Sequence, residues 1–312
     1  MDNKLVKIFA GSASIGLASD VAKNLKMGLG QKELQRFSDG EILPIFKENI
    51  RGRTVFLIQS TNTPFENYWE LFQMIDGAKR ASAKEIVAVI PYFGYGRQDR
   101  KDQPRVGISA KLIADFFETS GVNRVITIDL HADQIVGFFN RQIKVDQLQA
   151  SYIFVPYIKE LGLENFIVAS PDTGGTKKAK YLSKHLGCEM VLCYKHRSEA
   201  NKIDEMILVG DVRGKHVIIV DDIIDTGGTL CKSADLMLEK GAASVRAVIT
   251  HAVMSGNAYD NVEKSNLTEL IVTDTIPLKK HLDKITVLSV STLLSRAIRN
   301  NVNNKSLSKL FI

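Results

Sequence analysis

The residues with the clearest chemical potential form one continuous stretch in the second half of the chain. It consists of three carboxylates followed by four small donors: Asp221, Asp222, Asp225, Thr226, Gly227, Gly228 and Thr229. An apolar run that is typical of a strand precedes the stretch, and a helical pattern follows it. In open parallel sheets, ligands bind at the carboxyl ends of the strands, where the N–H groups of a following helix hold anions. The stretch therefore predicts an anion site.

The carboxylates narrow the class of anion. Asp221 and Asp222 would repel a phosphate that touched them, so they fit sugar hydroxyls or a divalent cation slightly further away. The glycines let the backbone approach the anion, and the threonine hydroxyls add donors. A sugar phosphate satisfies all these groups, and the alternative is an ordinary strand-to-helix turn capped by aspartate. The chain has no P-loop, and the glycines at 28–30 and 94–96 do not continue into a dinucleotide fingerprint.

Two loops supply the cations that phosphate chemistry requires. Lys195 and Arg197 flank His196 directly after an apolar run, and such side chains can close over reacting phosphates. The alternative for this loop is a solvated basic turn. The second loop contains Arg97, Gln98, Asp99 and Arg100. Guanidinium groups pair with phosphates and also stack on bases, so either role is open to this loop.

A histidine follows another strand-like run. His131 lies between Asp129 and Asp133. A histidine beside carboxylates at a strand end can ligate a cation or hold a phosphate, and it can equally be structural. The residues alone leave these alternatives open.

Five segments of the chain carry a family resemblance. The stretch 220–229 resembles the phosphoribosyl-diphosphate loop of phosphoribosyltransferases and ribose-phosphate diphosphokinases. Four further segments resemble the diphosphokinases specifically: Arg36–Glu41, Gly96–Lys101, Asp129–Gln134 and Ser170–Gly175. The resemblance spans nearly the whole chain. It implies an α/β fold of two phosphoribosyltransferase-like, Rossmann-like domains, each with a mainly parallel central sheet flanked by helices.

The resemblance implies a reaction and a role for each segment. The reaction moves the diphosphoryl group of ATP to the C1 hydroxyl of ribose 5-phosphate, giving 5-phosphoribosyl 1-diphosphate and AMP. Lys195 and Arg197 would stabilise the transition state, His131 and Asp172 would ligate Mg²⁺, and the 221–229 stretch would bind ribose 5-phosphate. The ATP-binding residues would be Phe37, Asp39, Glu41, Arg97, Gln98, Asp99 and Arg100.

The resemblance also implies self-association. Adenine would lie between Arg97 and Phe37, with Asp39 and Glu41 near its amino group. In this family Phe37, Asp39 and Glu41 come from a neighbouring subunit, so the active site requires an oligomer, expected to be a homohexamer built from dimers. Without the resemblance, Phe37 is an ordinary aromatic residue and Asp39-Gly40 is a turn.

Three departures from the family pattern concern details. The segment after Gly175 places Lys178 where the family usually has arginine. The loops at 101–107 and 141–146 also differ from the usual pattern. In the family these two loops contribute to a regulatory site at which phosphate activates and ADP inhibits, so the departures concern regulation, whereas the segments assigned to the reaction keep the family pattern.

Two other functions are alternatives to the diphosphokinase activity. A phosphoribosyltransferase, which consumes the same product, explains the 221–229 stretch but neither Arg97–Lys101 nor His131. A catalytically silent regulatory paralogue is expected to have lost Lys195, Arg197 or His131, and all three are present.

The elements that must position these groups alternate along the chain. Strands are predicted at 6–10, 54–59, 85–90, 124–128, 166–169, 190–193, 217–220, 245–249, 269–272 and 285–288. Helices are predicted at 65–81, with Trp69 in the core, at 109–120, with Ser109 as N-cap, at 177–186 and at 229–240. Strands that alternate with helices predict parallel sheets covered on both faces.

The length of 312 residues predicts two domains. The expected boundaries are 1–149 for the ATP side and 150–312 for the ribose 5-phosphate and catalytic loops, with the C-terminal helix packing back on the first domain. Each half contains a strand followed by a cation-rich loop and a strand that ends in carboxylates. This pattern predicts two related domains, although unrelated α/β domains also share such features.

The composition of the chain excludes several classes of protein. Hydrophobic residues at 45% and charged residues at 24% exclude disorder. No apolar stretch approaches the ~20 residues that cross a bilayer, and no export signal precedes the first strand. The three cysteines form no Cys-x-x-Cys pair, which is typical of a reducing compartment and predicts a cytoplasmic protein. The net charge of +6 suits phosphorylated substrates, and no long cationic run indicates nucleic acid.

Overall fold

The computed structural model describes residues 5–196 and 205–310 and divides the chain into two compact units. Unit 1 comprises Met1–Gln149 and Val290–Phe311, and unit 2 comprises Ala150–Ser289 together with Ile312. Within the described ranges, no helix is both long and apolar enough to cross a membrane.

The first elements in chain order belong to unit 1. They are β1 (Val6–Ala10), α1 (Ile15–Asn24), β2 (Lys32–Arg36), β3 (Ile42–Phe46), β4 (Thr54–Ile58), α2 (Glu66–Arg80), β5 (Glu85–Ile90), α3 (Ser109–Ser120), β6 (Arg124–Ile128) and β7 (Lys144–Leu148). The remaining elements belong to unit 2, apart from the last helix. They are α4 (Ser151–Glu160), β8 (Phe166–Ser170), α5 (Thr176–Leu186), β9 (Met190–His196), β10 (Glu205–Val209), β11 (His216–Ile224), α6 (Gly228–Glu239), β12 (Ser244–Ala252), α7 (Ala258–Lys264), β13 (Glu269–Thr273), β14 (Ile285–Leu288) and α8 (Ser291–Val302).

Unit 1 is built on a parallel sheet with strand order β1-β4-β5-β6-β7. Its central strands are rich in Val and Ile and are buried on both faces, as parallel strands between helices must be. The hairpin β2–β3 forms a separate two-stranded antiparallel sheet. Helix α8 packs on α1, where Arg299 donates to the carbonyl of Asn24 at 3.1 Å.

Unit 2 contains the larger sheet, with strand order β10-β9-β8-β11-β12-β13-β14. All neighbouring pairs are parallel except β10, which runs antiparallel to β9 at the edge. Its core combines apolar residues of the sheet with those of α6 and α7, including Ile219, Leu230, Met237 and Val262. The two sheets confirm the predicted α/β class with parallel central sheets.

The two units repeat one order of elements. In unit 1 a strand, a helix, an antiparallel hairpin and a second strand are β1, α1, β2–β3 and β4. In unit 2 the same series is β8, α5, β9–β10 and β11. The two units thus share one order of elements, and their relatedness stays a prediction.

Two local predictions differ from the structure. Trp69 does not lie in the core: its side chain is 52% exposed, because the buried face of α2 is formed by its neighbours Tyr68, Leu71 and Phe72. Ser109 is the first residue of α3 rather than its N-cap, and its hydroxyl donates to the side chain of Gln98 instead.

Candidate functional site

The predicted anion loop lies at the carboxyl end of β11. The strand continues through both Asp221 and Asp222, whereas the sequence predicted that it stops before them. Parallel pairing with β12 extends it as far as Ile224, which lies opposite Ala252. The backbone then turns into α6 through Gly227, whose φ of 77° belongs to the left-handed region that favours glycine.

Hydrogen bonds to the carbonyl groups of residues 225–227 hold the loop in place. The N–H of Ser255 donates to the Asp225 carbonyl at 3.0 Å, and the Asn261 amide donates to the Thr226 carbonyl at 2.8 Å. The Gly227 carbonyl accepts the N–H of Cys231 at 3.0 Å, in the first turn of α6. The first N–H groups of a helix have no partner within it and carry its positive dipole end. The loop is therefore arranged to receive an anion at the helix N-terminus.

Two adjacent carboxyl groups, Asp221 and the buried Asp222, lie directly before this loop. Asp222 is 4% exposed, and its carboxylate contacts the ammonium group of Lys178 at 3.0 Å. The backbone N–H of Asp222 donates to Asp221 at 2.9 Å. Burial, together with the charge of Asp222, raises the pKa of Asp221 to about 8. One lysine thus lies beside two carboxyl groups, and Asp221 holds its proton to a higher pH than an ordinary aspartate does.

The turn after β8 adds a third carboxylate. Asp172 accepts hydrogen bonds from the N–H groups of Gly174 at 2.9 Å and Gly175 at 3.2 Å through the same oxygen, Oδ1. The charge of Asp172 contributes to the raised pKa of Asp221. Unit 2 therefore brings Asp172, Asp221 and the anion loop to the same edge of its sheet.

The donor chemistry of this edge fits Mg²⁺. Carboxylate oxygens are the ligands that Mg²⁺ prefers, and it usually takes few of them from the protein and completes its shell with phosphates and water. Within residues 5–196 and 205–310, no group of three or more His, Cys, Asp or Glu side chains is arranged to hold a metal ion.

Unit 1 brings two predicted segments together at the carboxyl ends of β5 and β6. The Asp99 carboxylate accepts a hydrogen bond from Gln134 at 2.6 Å, which joins the 96–101 loop to the 129–134 loop. Gly96 also lies against His131, whose Cβ would be 3.7 Å from a side chain placed there. Arg97 and His131 are exposed beside this contact.

The third predicted segment of unit 1 is the turn between β2 and β3. Phe37 is 43% exposed at this turn. The N–H of Phe37 donates to the Glu41 carbonyl at 2.9 Å, and Asp39 accepts from the N–H of Glu41 at 3.1 Å. An exposed aromatic ring on an ordered turn is suited to stacking on a base.

The predicted catalytic cations are only partly described. Lys195 lies in β9, with its backbone opposite Met206, and its side chain lies outside the described residues. Arg197 lies outside them as well. His131 belongs to unit 1 and Asp172 to unit 2.

The sequence missed several groups that shape the site. Lys178 reads as one member of a solvated basic helix, and only its place three residues after Gly175 hinted at a role. Ser255 and Asn261, which hold the anion loop, follow it by about 30 residues. No local pattern could have connected them to it.

Comparison with known proteins gives a consistent match. A family model of the N-terminal domain of ribose phosphate pyrophosphokinase matches residues 6–121, and a model of the phosphoribosyl synthetase-associated domain matches residues 167–312. A ribose-phosphate pyrophosphokinase of Porphyromonas gingivalis is 51% identical over 305 residues, which cover 97% of each chain. The protein of the same name from Campylobacter jejuni is 50% identical over 307 residues, covering 98% of this chain and 99% of its own.

A solved structure agrees with these relatives. The crystal structure of phosphoribosylpyrophosphate synthetase from Mycobacterium smegmatis superposes with a TM-score of 0.90 at 38% identity. The match covers 96% of this chain and 99% of that one. The likeness therefore includes both units rather than one of them.

Proposed function

Because the chain belongs to the ribose-phosphate pyrophosphokinase family, we propose that it transfers the diphosphoryl group of ATP to the C1 hydroxyl of ribose 5-phosphate. The products are 5-phosphoribosyl 1-diphosphate and AMP. This activity makes the chain a transferase of the kinase type in nucleotide biosynthesis. The observation that carries the proposal from the residues is the loop at the N-terminus of α6, with the adjacent Asp221 and Asp222 beside it.

Ribose 5-phosphate is bound by the loop and the carboxylates together. The residues are Asp221, Asp222, Asp225, Thr226, Gly227, Gly228 and Thr229. The phosphate lies at the helix N-terminus, where N–H groups and hydroxyls donate to it. The carboxyl groups receive the sugar hydroxyls, which supply the donors that a phosphate lacks. This division of roles explains why acidic residues stand so close to an anion site.

ATP is bound by the groups of unit 1. Phe37 and Arg97 stack on adenine, and Asp39 and Glu41 accept hydrogen bonds from its amino group. Gln98, Asp99 and Arg100 complete the ATP site, and the Gln134 contact of Asp99 keeps this loop beside His131. The exposure of Phe37 supports the assignment, because a stacking ring must be accessible.

The reaction needs alignment and positive charge rather than a covalent nucleophile. The C1 hydroxyl attacks the β-phosphorus of ATP, and AMP leaves. Lys195 and Arg197 stabilise the negative charge that develops on the transferring group, and one such contact supplies about 3 kcal/mol of barrier reduction. His131 and Asp172 would hold Mg²⁺, which would neutralise phosphate charge. The two backbone hydrogen bonds that Asp172 accepts fix the orientation of its carboxylate, which supports this assignment.

The assembly is a homohexamer built from dimers, and the cell compartment is the cytoplasm. The turn that bears Phe37 acts in the active site of a neighbouring subunit. Mixing Phe37→Ala and Lys195→Ala proteins should then restore part of the activity, because a hybrid oligomer contains some sites with both native residues. Absence of recovery in proven hybrids would contradict the shared site.

The proposed reaction is tested by its nucleotide product. Protein incubated with Mg·ATP and ribose 5-phosphate should form AMP in step with 5-phosphoribosyl 1-diphosphate. ADP as the sole nucleotide product would mean ordinary γ-phosphoryl transfer, and absence of any product would favour a silent regulatory paralogue.

A further inference from the structure

The hairpin β2–β3 stands outside the main sheet of unit 1, so strand pairing with that sheet does not fix its position. An isolated two-stranded hairpin is marginally stable in water. Its turn nevertheless bears the residues proposed to bind adenine. Some other part of unit 1 must therefore determine where Phe37 lies.

Helix α2 provides the missing contact through one face. Glu66, Glu70 and Gln73 are spaced as i, i+4 and i+7, so they lie above one another on the helix surface. Glu66 pairs with Arg36 and Glu70 pairs with Lys32, both on β2. Gln73 donates to the carbonyl of Ile42 on β3 at 3.0 Å. We refer to these three residues of α2 as the polar stripe.

The contact between Glu70 and Lys32 is buried, and the Glu70 carboxylate accepts several hydrogen bonds. Glu70 is 1% exposed. It accepts the N–H of Ser12 at 3.0 Å, the hydroxyl of Ser12 at 3.1 Å and the Gln59 amide at 2.9 Å, besides the ammonium of Lys32. A buried carboxylate with this many donors holds its position firmly. It joins the base of the hairpin to the ends of β1 and β4.

The contact between Glu66 and Arg36 reaches the turn between β2 and β3. Arg36 forms two hydrogen bonds to the Glu66 carboxylate, at 3.1 and 2.5 Å. The Nη1 of Arg36 also donates to the carbonyl of Gly40 at 2.9 Å, inside the turn. A two-point contact of this kind fixes orientation as well as distance. Arg36 thus connects α2 to the turn that displays Phe37.

We propose that Arg36 and Glu66 are positioning residues that set ATP affinity by orienting the turn 37–41, without contacting ATP. This inference rests on the proposed adenine role of Phe37. The pair is about half exposed, so it contributes little to global stability. Its effect is therefore separable from folding: it acts on the substrate that the turn binds and leaves ribose 5-phosphate binding unchanged.

Charge reversal tests the proposal. R36E and E66R each place like charges opposite one another, and each should raise the KM for ATP by about fivefold or more while changing the KM for ribose 5-phosphate by less than about twofold. The double variant R36E/E66R restores opposite charges but not the hydrogen bond to the Gly40 carbonyl, because a carboxylate cannot donate one. It should therefore recover part of the ATP affinity. Melting temperatures should change by no more than about 2 °C.

The matched control lies on the same helix. Asp76 pairs with Arg80 at 2.6 Å through an exposed contact that does not involve the hairpin. D76R should leave both KM values unchanged. An equal rise of both KM values in R36E, or no recovery in the double variant, would overturn the proposal.

Phe37→Ala separates this inference from its premise. If Phe37→Ala raises the KM for ATP and R36E does not, the positioning role is wrong and the adenine assignment stands. If Phe37→Ala leaves ATP binding unchanged, the adenine assignment is wrong and the positioning role falls with it. Formation of AMP by the native protein remains an independent test of the reaction.

Discussion

The two adjacent glycines of the anion loop should respond to alanine in opposite directions. Gly227 has a φ of 77°, and a Cβ placed there meets nothing closer than 3.7 Å. Its alanine variant is therefore destabilised by backbone strain alone, by about 1–2 kcal/mol. Gly228 is the first residue of α6, outside the left-handed region, and its Cβ would lie 4.0 Å from the nearest atom, Thr226 Oγ1. Gly228→Ala should be stabilised by about 0.4–1 kcal/mol.

Thermal unfolding of the substrate-free protein measures this difference. The two variants should be separated by about 2 kcal/mol, which corresponds to roughly 4–8 °C in melting temperature for a domain of this size. Gly227→Ala melts below the native protein and Gly228→Ala above it. Equal melting temperatures would refute the link between the positive φ of Gly227 and the shape of the loop.

Ribose 5-phosphate adds a second measurement on the same proteins. At about 100 times its Kd, the ligand stabilises the native protein by about 2.7 kcal/mol. Gly228→Ala should lose most of this ligand-induced shift, because a methyl group then stands at the helix N-terminus that receives the phosphate. A full shift in Gly228→Ala would show that the phosphate does not approach this residue.

Three further predictions concern charge. The pKa of Asp221 is raised to about 8, so this carboxyl destabilises the folded state increasingly as the pH rises from about 4 to 8. With EDTA present, the melting temperature of Asp221→Asn relative to that of the native protein should therefore rise between about pH 5 and pH 9. An equal difference in melting temperature at the two pH values would contradict the raised pKa. Lys178→Met removes the ammonium group that lies 3.0 Å from the buried Asp222 carboxylate, so it should lower the free energy of unfolding by about 1–3 kcal/mol. Lys178→Arg keeps the charge and should have nearly the native free energy of unfolding in denaturant. Equal losses in the two variants would show that charge pairing is not the cause. Lys195→Ala should lower kcat by about 10²–10³-fold and change the KM for ribose 5-phosphate little, whereas an equal loss in both would make it a binding group only.

The sequence predicted the central strands well because their Val- and Ile-rich runs are buried on both faces, and burial is what hydrophobic patterns report. The residues of the predicted anion loop are contiguous, so the sequence also placed this loop between a strand and a helix, as the structure has it. Its binding of an anion stays a prediction. β11 and β9 continue further than predicted, to Ile224 and His196. Their polar ends are held by pairing with β12 and β10, which a local pattern does not contain.

The hairpin β2–β3 was not predicted as two strands, although its Asp39-Gly40 turn was noted. Its first strand, Lys32–Arg36, is mostly charged or polar and half exposed, so no alternation marks it. Glu66, Glu70 and Gln73 contact it from about 30 or more residues further along the chain. A local pattern does not connect polar residues that are so far apart in the sequence, and it indicates only a solvated surface for them.

The segment of unit 1 that corresponds to the anion loop of unit 2 is built differently. After β4, which corresponds to β11, the N–H groups of Ser60 and Thr61 already donate to Ser14 Oγ at 2.8 Å and to the Tyr92 carbonyl at 3.0 Å. Pro64 has no N–H, and the helix that follows opens with the carboxylate of Glu66. The N–H groups of Ser60 and Thr61 are thus already engaged, and the first residue of the helix is a carboxylate that pairs with Arg36. In the proposed reaction, the sugar phosphate therefore binds at the N-terminus of α6 in unit 2 rather than at this position, and unit 1 binds the nucleotide.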